Sequence, residues 1–158
     1  MASHHELLAD LVAIVSADDG RATRLQAIAN RLRDWGNYRW VGLYDVDHTA
    51  GIVRMIVWSG SGPPQFPTFP VSQGLTSAAV AGCKTINVGD VAKDSRYLTA
   101  FGTTRSEMIV PVFDRERRVV GTIDVESERP NAFGMEGQAV LEDCSRIIQP
   151  LWLMAAAA

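Results

Sequence analysis

The amino-acid sequence predicts an α/β (α+β) domain in which helices from the two ends of the chain cover one face of a central antiparallel sheet. Three observations carry this. Apolar stripes at helical spacing occupy the first and last stretches. Runs of β-forming residues fill the middle, and those runs come in pairs joined by short polar turns. Of 158 residues, 47% are hydrophobic and 21% charged, a mix that suits one folded domain with one substantial core. No repeat or low-complexity linker divides the chain, so residues 1–158 read as a single domain whose core runs from Leu7 to Leu151.

The elements follow in order. Leu7, Leu8, Leu11, Val12 and Val15 make a stripe on one helical face, ended by the small and acidic run Ser16 to Gly20. Leu25, Ile28, Ala29, Leu32 and Trp35 make a second stripe, closed by Gly36. Arg39 to Val46 and Ile52 to Trp58 are rich in β-formers, and the loop Asp47 to Gly51 between them predicts a hairpin. Gly60 to Pro70 holds four of the seven prolines together with Phe66 and Phe69, which excludes a helix or a central strand. A loop of that length is either a binding lid or a stiff arm whose aromatics patch the core. Gly74 to Ala81 and Ser95 to Phe101 are expected as short helices, with Thr85 to Val88 as a short strand between them. Met108 to Phe113 and Val119 to Val125 pair around the charged turn Asp114 to Arg118. A last helix carries Val140, Leu141, Cys144, Ile147, Ile148 and Leu151, kinked or ended near Pro150, which has no N–H to donate. The run Ala155 to Ala158 is left out of the predicted fold. With helices on one sheet face and the mixed stretch on the other, the second face is the natural place for a pocket.

Composition removes several function classes. A net charge of −3 and a pI near 5.6 leave no electrostatic footprint for nucleic acid. No segment approaches the roughly 18 uncharged apolar residues of a membrane span. The start of the chain, with His4, His5 and Glu6, lacks the features of a signal peptide, so the expected location is the cytoplasm. Cys83 and Cys144 are far apart and show no CxxC spacing, and His4, His5 and His48 show no ligand spacing. Neither a metal nor a cofactor is expected.

Alternation in the last strand marks candidate chemistry. Val119, Gly121, Ile123 and Val125 share one face, the one helices would cover; Val120, Thr122, Asp124 and Glu126 share the other. Asp124 and Glu126 then lie about 7 Å apart, from a rise near 3.3 Å per residue. Such a pair in a pocket suits an ammonium group or a set of hydroxyl and amide donors; the alternative is that both residues sit at a strand end and face water. Glu107, beside Ser106, opens the neighbouring strand and reaches the same end of the sheet if the two strands pair. Three carboxylates would then converge and raise one another's pKa. Trp40 and Tyr44 share a face of the first strand and could wall the same cavity.

These motifs resemble a known family. Gly89-Asp90-Val91, Asp94-Ser95-Arg96-Tyr97-Leu98, Ser106-Glu107-Met108-Ile109-Val110-Pro111-Val112, Val120-Gly121-Thr122-Ile123-Asp124-Val125-Glu126-Ser127 and Phe133 are similar to GAF domains, over roughly Leu7 to Leu151. The resemblance implies a GAF-like central antiparallel sheet, a small-molecule sensor role and dimerisation through terminal helices. The chain also resembles the free methionine-(R)-sulfoxide reductases. Trp40-Val41-Gly42-Leu43-Tyr44 looks like that family's first strand, and Ser106-Glu107, Asp124 and Glu126 match its pocket acids, with Glu126 where an Asp is usual. The family's cysteines, in Gly-Val-Cys-Gly and Ile-Ala-Cys-Asp motifs, fall on Thr76 and Ala100 here. Sulfoxide reduction needs a thiolate to attack sulfur and a second thiol to resolve the product, which threonine and alanine cannot supply. Cys83 lies outside the motif and reads as a small residue at a helix end.

The candidate ligand-binding set is therefore Trp40, Tyr44, Phe66, Phe69, Thr76, Ala100, Glu107, Asp124 and Glu126, with no catalytic residue. Three readings stand: a small-molecule-binding domain that forms a homodimer through its first and last helices, whose stripes together with Trp152 beyond Pro150 offer more apolar surface than one sheet face needs, a reductase working through Cys83, or a purely structural dimerisation module.

Overall fold

The computed structural model describes residues 2–99 and 101–157. Two helices open the chain. In α1 (His4–Ser16) the Ser3 hydroxyl accepts from the Glu6 N–H and the Glu6 carboxylate accepts from the Ser3 N–H, a reciprocal cap that sets where the helix starts. The second, α2 (Arg21–Gly36), ends where Asn37 adopts the left-handed conformation. Strands β1 (Trp40–Asp47) and β2 (Ile52–Gly60) form the first hairpin, and β3 (Thr68–Pro70) follows the proline-rich loop. Helix α3 (Gly74–Gly82) and strand β4 (Ile86–Val88) lead to the second hairpin, β5 (Ser106–Phe113) and β6 (Val119–Ser127). The chain closes with α4 (Met135–Ile148) and α5 (Pro150–Ala157), broken at Gln149 before Pro150. Among the described residues no helix is long and apolar enough to cross a membrane.

The six strands form one antiparallel sheet in the order β3-β2-β1-β6-β5-β4. Helices α1, α2 and α4 cover one face, where Leu7, Leu11, Ile28, Leu141 and Ile148 are fully buried against Val41, Leu43, Ile123 and Val125. On the other face α3 packs on β4 and β5 through Leu75, Ala79, Ile86 and Ile109. Beyond the end of β4, strand β5 loses its neighbour, and α4 replaces it. The Ser145 hydroxyl donates to the Pro111 carbonyl at 2.6 Å, and the Gln149 amide donates to that of Phe113 at 2.7 Å.

Four expectations change. The helix expected over Ser95 to Phe101 does not form at Ser95–Thr99 or at Phe101; a 3-10 turn forms earlier, at Val91–Lys93, where the Asp90 carboxylate caps the Ala92 N–H. Thr68–Pro70 is an edge strand on β2, a place where proline's missing donor is tolerated. The β5–β6 register shifts at Val112/Phe113, so alternation on β6 reverses below it. Val119 therefore packs on the pocket face with Trp40 and Tyr44, while Val120 joins the helix face. Trp152, expected as surplus surface, is buried: its indole N–H donates to the Tyr44 carbonyl at 3.2 Å. Gly121 makes room for that ring, since a Cβ there would meet the indole nitrogen at 2.1 Å.

Candidate functional site

The pairing of β5, β6 and β1 brings three acids together. Glu107 lies directly opposite Glu126 across the β5–β6 ladder, and Gly42 lies opposite Asp124 across the β1–β6 ladder. Side chains two apart on a strand share a face, so Asp124 and Glu126 point the same way and Glu107 joins them from the side. One carboxylate oxygen from each lies within 4.8 Å of the others, a separation that a single bound cation could span. These acids do not face water, which corrects the strand-end alternative: Glu107 is 6%, Asp124 8% and Glu126 0% exposed. Among the described residues, Glu107 Oε2, Asp124 Oδ1 and Glu126 Oε2 are buried without a hydrogen-bond partner.

Burial and crowding set their charge. Loss of water, then the charges of Asp124 and Glu126, push the Glu107 pKa well above the usual carboxylate range. Burial lifts Asp124 to about 7. Burial, with the neighbouring Asp124 charge, lifts Glu126 to about 8. Tyr44 stands over the same floor, and its phenol is pushed well above 10 by burial and by all three acids. The Tyr97 hydroxyl donates to Glu126 Oε1 at 3.5 Å.

Aromatic rings and α3 wall this floor. Gly42 lets the rings of Trp40 and Tyr44 fold over β1, since a Cβ there would meet the Trp40 ring at 2.2 Å. Phe69 packs edge-on against Tyr44 with ring centres 5.9 Å apart, and Phe66, 39% exposed, borders the same space. From α3, Gly74, Leu75 and the buried Thr76 close one side, and Leu98 closes another. The cavity measures about 20 Å³, room for about one water-sized group.

Of the residues proposed from sequence, Tyr44, Phe66, Phe69, Thr76, Glu107 and Asp124 line this cavity. Glu126 sits in the acid cluster behind it. Trp40 is fully buried beside it, with its indole N–H donating to the Gly62 carbonyl at 2.9 Å and its ring edge-on to Phe101 at 5.4 Å. Ala100 lies outside the described residues. Sequence reasoning did not single out Gly74, Leu75, Tyr97 or Leu98. All four belong to stretches already quoted, but no local pattern says that a loop will bend its Leu onto a helix start.

The two cysteines stay apart from the acids. Cys144 is fully buried on α4, as its place on the apolar stripe implies. Cys83 stands at the end of α3, as expected, in left-handed conformation, and it is exposed in a crevice with Lys84, Pro111, Phe113, Arg117 and Arg146. It lies seven residues beyond Thr76, about 10 Å along the helix axis.

A model of the GAF domain family matches residues 20–149, and the chain belongs to that family. It is 23% identical over 130 residues to GAF domain-containing protein A of Dictyostelium discoideum, covering 82% of this chain and 80% of that protein. The structure of the free methionine-R-sulfoxide reductase of Neisseria meningitidis in complex with its substrate superposes with a TM-score of 0.89 at 23% identity, over 99% of this chain and 95% of that one. The type II free methionine-R-sulfoxide reductase of Thermoplasma acidophilum gives a TM-score of 0.79 at 28% identity, over 92% and 96% of the two chains.

Proposed function

We propose that this GAF domain is a small-molecule-binding regulatory module whose pocket receives a cationic amino group, and that it has no sulfoxide reductase activity. The observation that carries the reading is the set of three buried carboxyls with unpaired oxygens at the base of an aromatic-walled cavity. Buried acceptors without partners are uncommon in folded chains, and a multi-donor ammonium would satisfy them together. Apolar walls with a few convergent polar groups are the usual make-up of a small-molecule site. The cavity admits only the head of such a ligand, so the remainder enters by displacing Phe66, Phe69 or Leu98.

The reductase reading draws on the similarity to two such enzymes. Against it stand Thr76 and Ala100 at the motif positions and the placement of Cys83, the one exposed thiol, in a separate crevice. With a thiol reductant, free methionine sulfoxide should not be turned over. Turnover that disappears in Cys83→Ser would reverse this conclusion.

Ligand binding is tested by a thermal-shift screen of amino acids, other amines and nucleotides. A ligand at 100 times its dissociation constant stabilises the fold by about 2.7 kcal/mol, enough to detect. The double variant Asp124→Asn, Glu126→Gln should abolish the shift for an amine, and an undiminished shift would refute the acid floor as its site. The homodimer through the terminal helices remains part of the proposal, supported now by the exposed Val12 of α1 (52%) and Met135 of α4 (91%) rather than by Trp152. Light scattering that gives a 17.2 kDa monomer at every concentration would remove it.

A further inference from the structure

Three carboxyl groups that meet inside a folded chain cannot all be charged unless something neutralises them. In this chain the neutralising groups have to come from elements packed around Glu107, Asp124 and Glu126. From β1, Tyr44 offers a phenol that stays neutral. From the loop before β5, Tyr97 offers one hydroxyl to Glu126. Helix α3 (Gly74–Gly82) carries only small, apolar and hydroxyl side chains, none of them ionisable. Arg39, next to β1, acts on Glu126 through space, but its guanidinium is bound to Glu128 at 2.5 Å and lies over the Phe101 ring at 4.8 Å. Arg96 is tied to Asp94 at 2.6 Å. The remaining source of neutralising charge is the proton.

We propose that Glu107, Asp124 and Glu126 form a proton store that gives up a proton when the cationic head of a ligand enters, so that the site responds to pH and to ligand through one exchange. This rests on the amine-binding reading above. The exchange balances: one ammonium enters with a charge of +1, one O–H bond of a carboxyl breaks, and its proton leaves for solvent. The net charge of the buried floor is unchanged, which is why the exchange avoids the penalty of adding charge to a dry site. The directions of the three pKa values agree with protons being held at neutral pH.

Two consequences follow, and one needs no ligand. In the unfolded chain these acids ionise near pH 4, whereas in the folded chain at least one holds its proton to pH 7 or 8. The folded state then binds more protons than the unfolded state across that window, so stability falls as pH rises from about 4 to 8. With a ligand, one proton leaves per amine bound, and the dissociation constant of an amine that stays charged falls up to tenfold per pH unit between about pH 6 and 8.

The test is a carbon-13 NMR titration of the side-chain carboxyls of the 158-residue chain, in sodium chloride and in methylammonium chloride at the same ionic strength. At least one carboxyl is expected to titrate above pH 6.5 in sodium chloride and to move to lower pH in methylammonium. If every carboxyl titrates below pH 5, the proton store is refuted, even if amines bind in the thermal-shift screen. If a carboxyl titrates high but does not respond to methylammonium, and no amine in that screen binds, the amine reading has failed and the exchange with it. Amine hits that bind equally well at pH 6 and pH 8 would refute the exchange alone. The variant Glu107→Gln should remove one high-pH titration, and the wild-type titration stands by itself if that variant does not fold.

Discussion

On the helix-covered face, Val41, Leu43, Ile123 and Val125 of the two central strands meet Leu7, Leu11, Ile28, Leu141 and Ile148, all fully buried and all apolar. On the opposite face of the same strands, Gly42, Asp124 and Glu126 meet Glu107, Tyr44 and Ile109. Neighbouring residues of β6 thus serve opposite purposes, because successive side chains of a strand point to opposite faces. The first face gains free energy from area removed from water, at roughly 25 cal/mol per Å². The second buries carboxyls with unpaired oxygens, which opposes folding. A domain that holds such a floor does so on stability supplied by its other face, which is the pattern expected of a binding site rather than of a second core.

The contrast can be broken most directly on the apolar side. Leu141→Ala should lower unfolding free energy by about 2–5 kcal/mol in urea, since it removes a fully buried side chain between α4 and the sheet. A loss well under 1 kcal/mol would mean that this face is not the source of stability.

The opposite sign is expected on the other side. Asp124 has a folded pKa raised from 3.8 to about 7, so its contribution is most favourable at low pH and is lost as pH rises through 7. Asp124→Asn should therefore change stability little near pH 4 and raise it at pH 8, by roughly 1–3 kcal/mol after allowing for relaxation of a shift near three units. Urea midpoints of both proteins across pH 4 to 8 check this. A variant less stable than wild type at pH 8 would place the carboxylate among the stabilising groups and erase the difference between the faces.

The smallest effect belongs to a residue on neither face. Arg118 pairs with Asp114 in the β5–β6 turn, where its side chain is 67% exposed. Arg118→Ala should leave both the unfolding midpoint and the response to amines within measurement error, because exposed pairs contribute little. A clear loss of amine response would mean that the hairpin tip helps position the floor.

Short-range patterns were readable where one element decides the outcome. Helical stripes located α1, α2 and α4, and strand alternation put Asp124 and Glu126 together on the face away from Ile123 and Val125. The reading went astray where a neighbour intervened. A bulge at Val112/Phe113 exchanged the faces of Val119 and Val120, and α5 folded Trp152 back onto Tyr44. A bulge depends on how two strands fit together, and a docked ring depends on space left at Gly121, so neither has a signature within a single window.

The sequence by itself determined the fold class, the pairing of its hairpins and the face on which the acids lie, because periods of 3.6 and 2 are written in a few consecutive residues. Only the tertiary structure decided that Glu107 stands opposite Glu126, that burial shields the three acids from water and pushes their pKa values up, and that Thr76 and Leu98 close over them. Those outcomes depend on distances between segments tens of residues apart and on how completely they exclude water, and packing sets both.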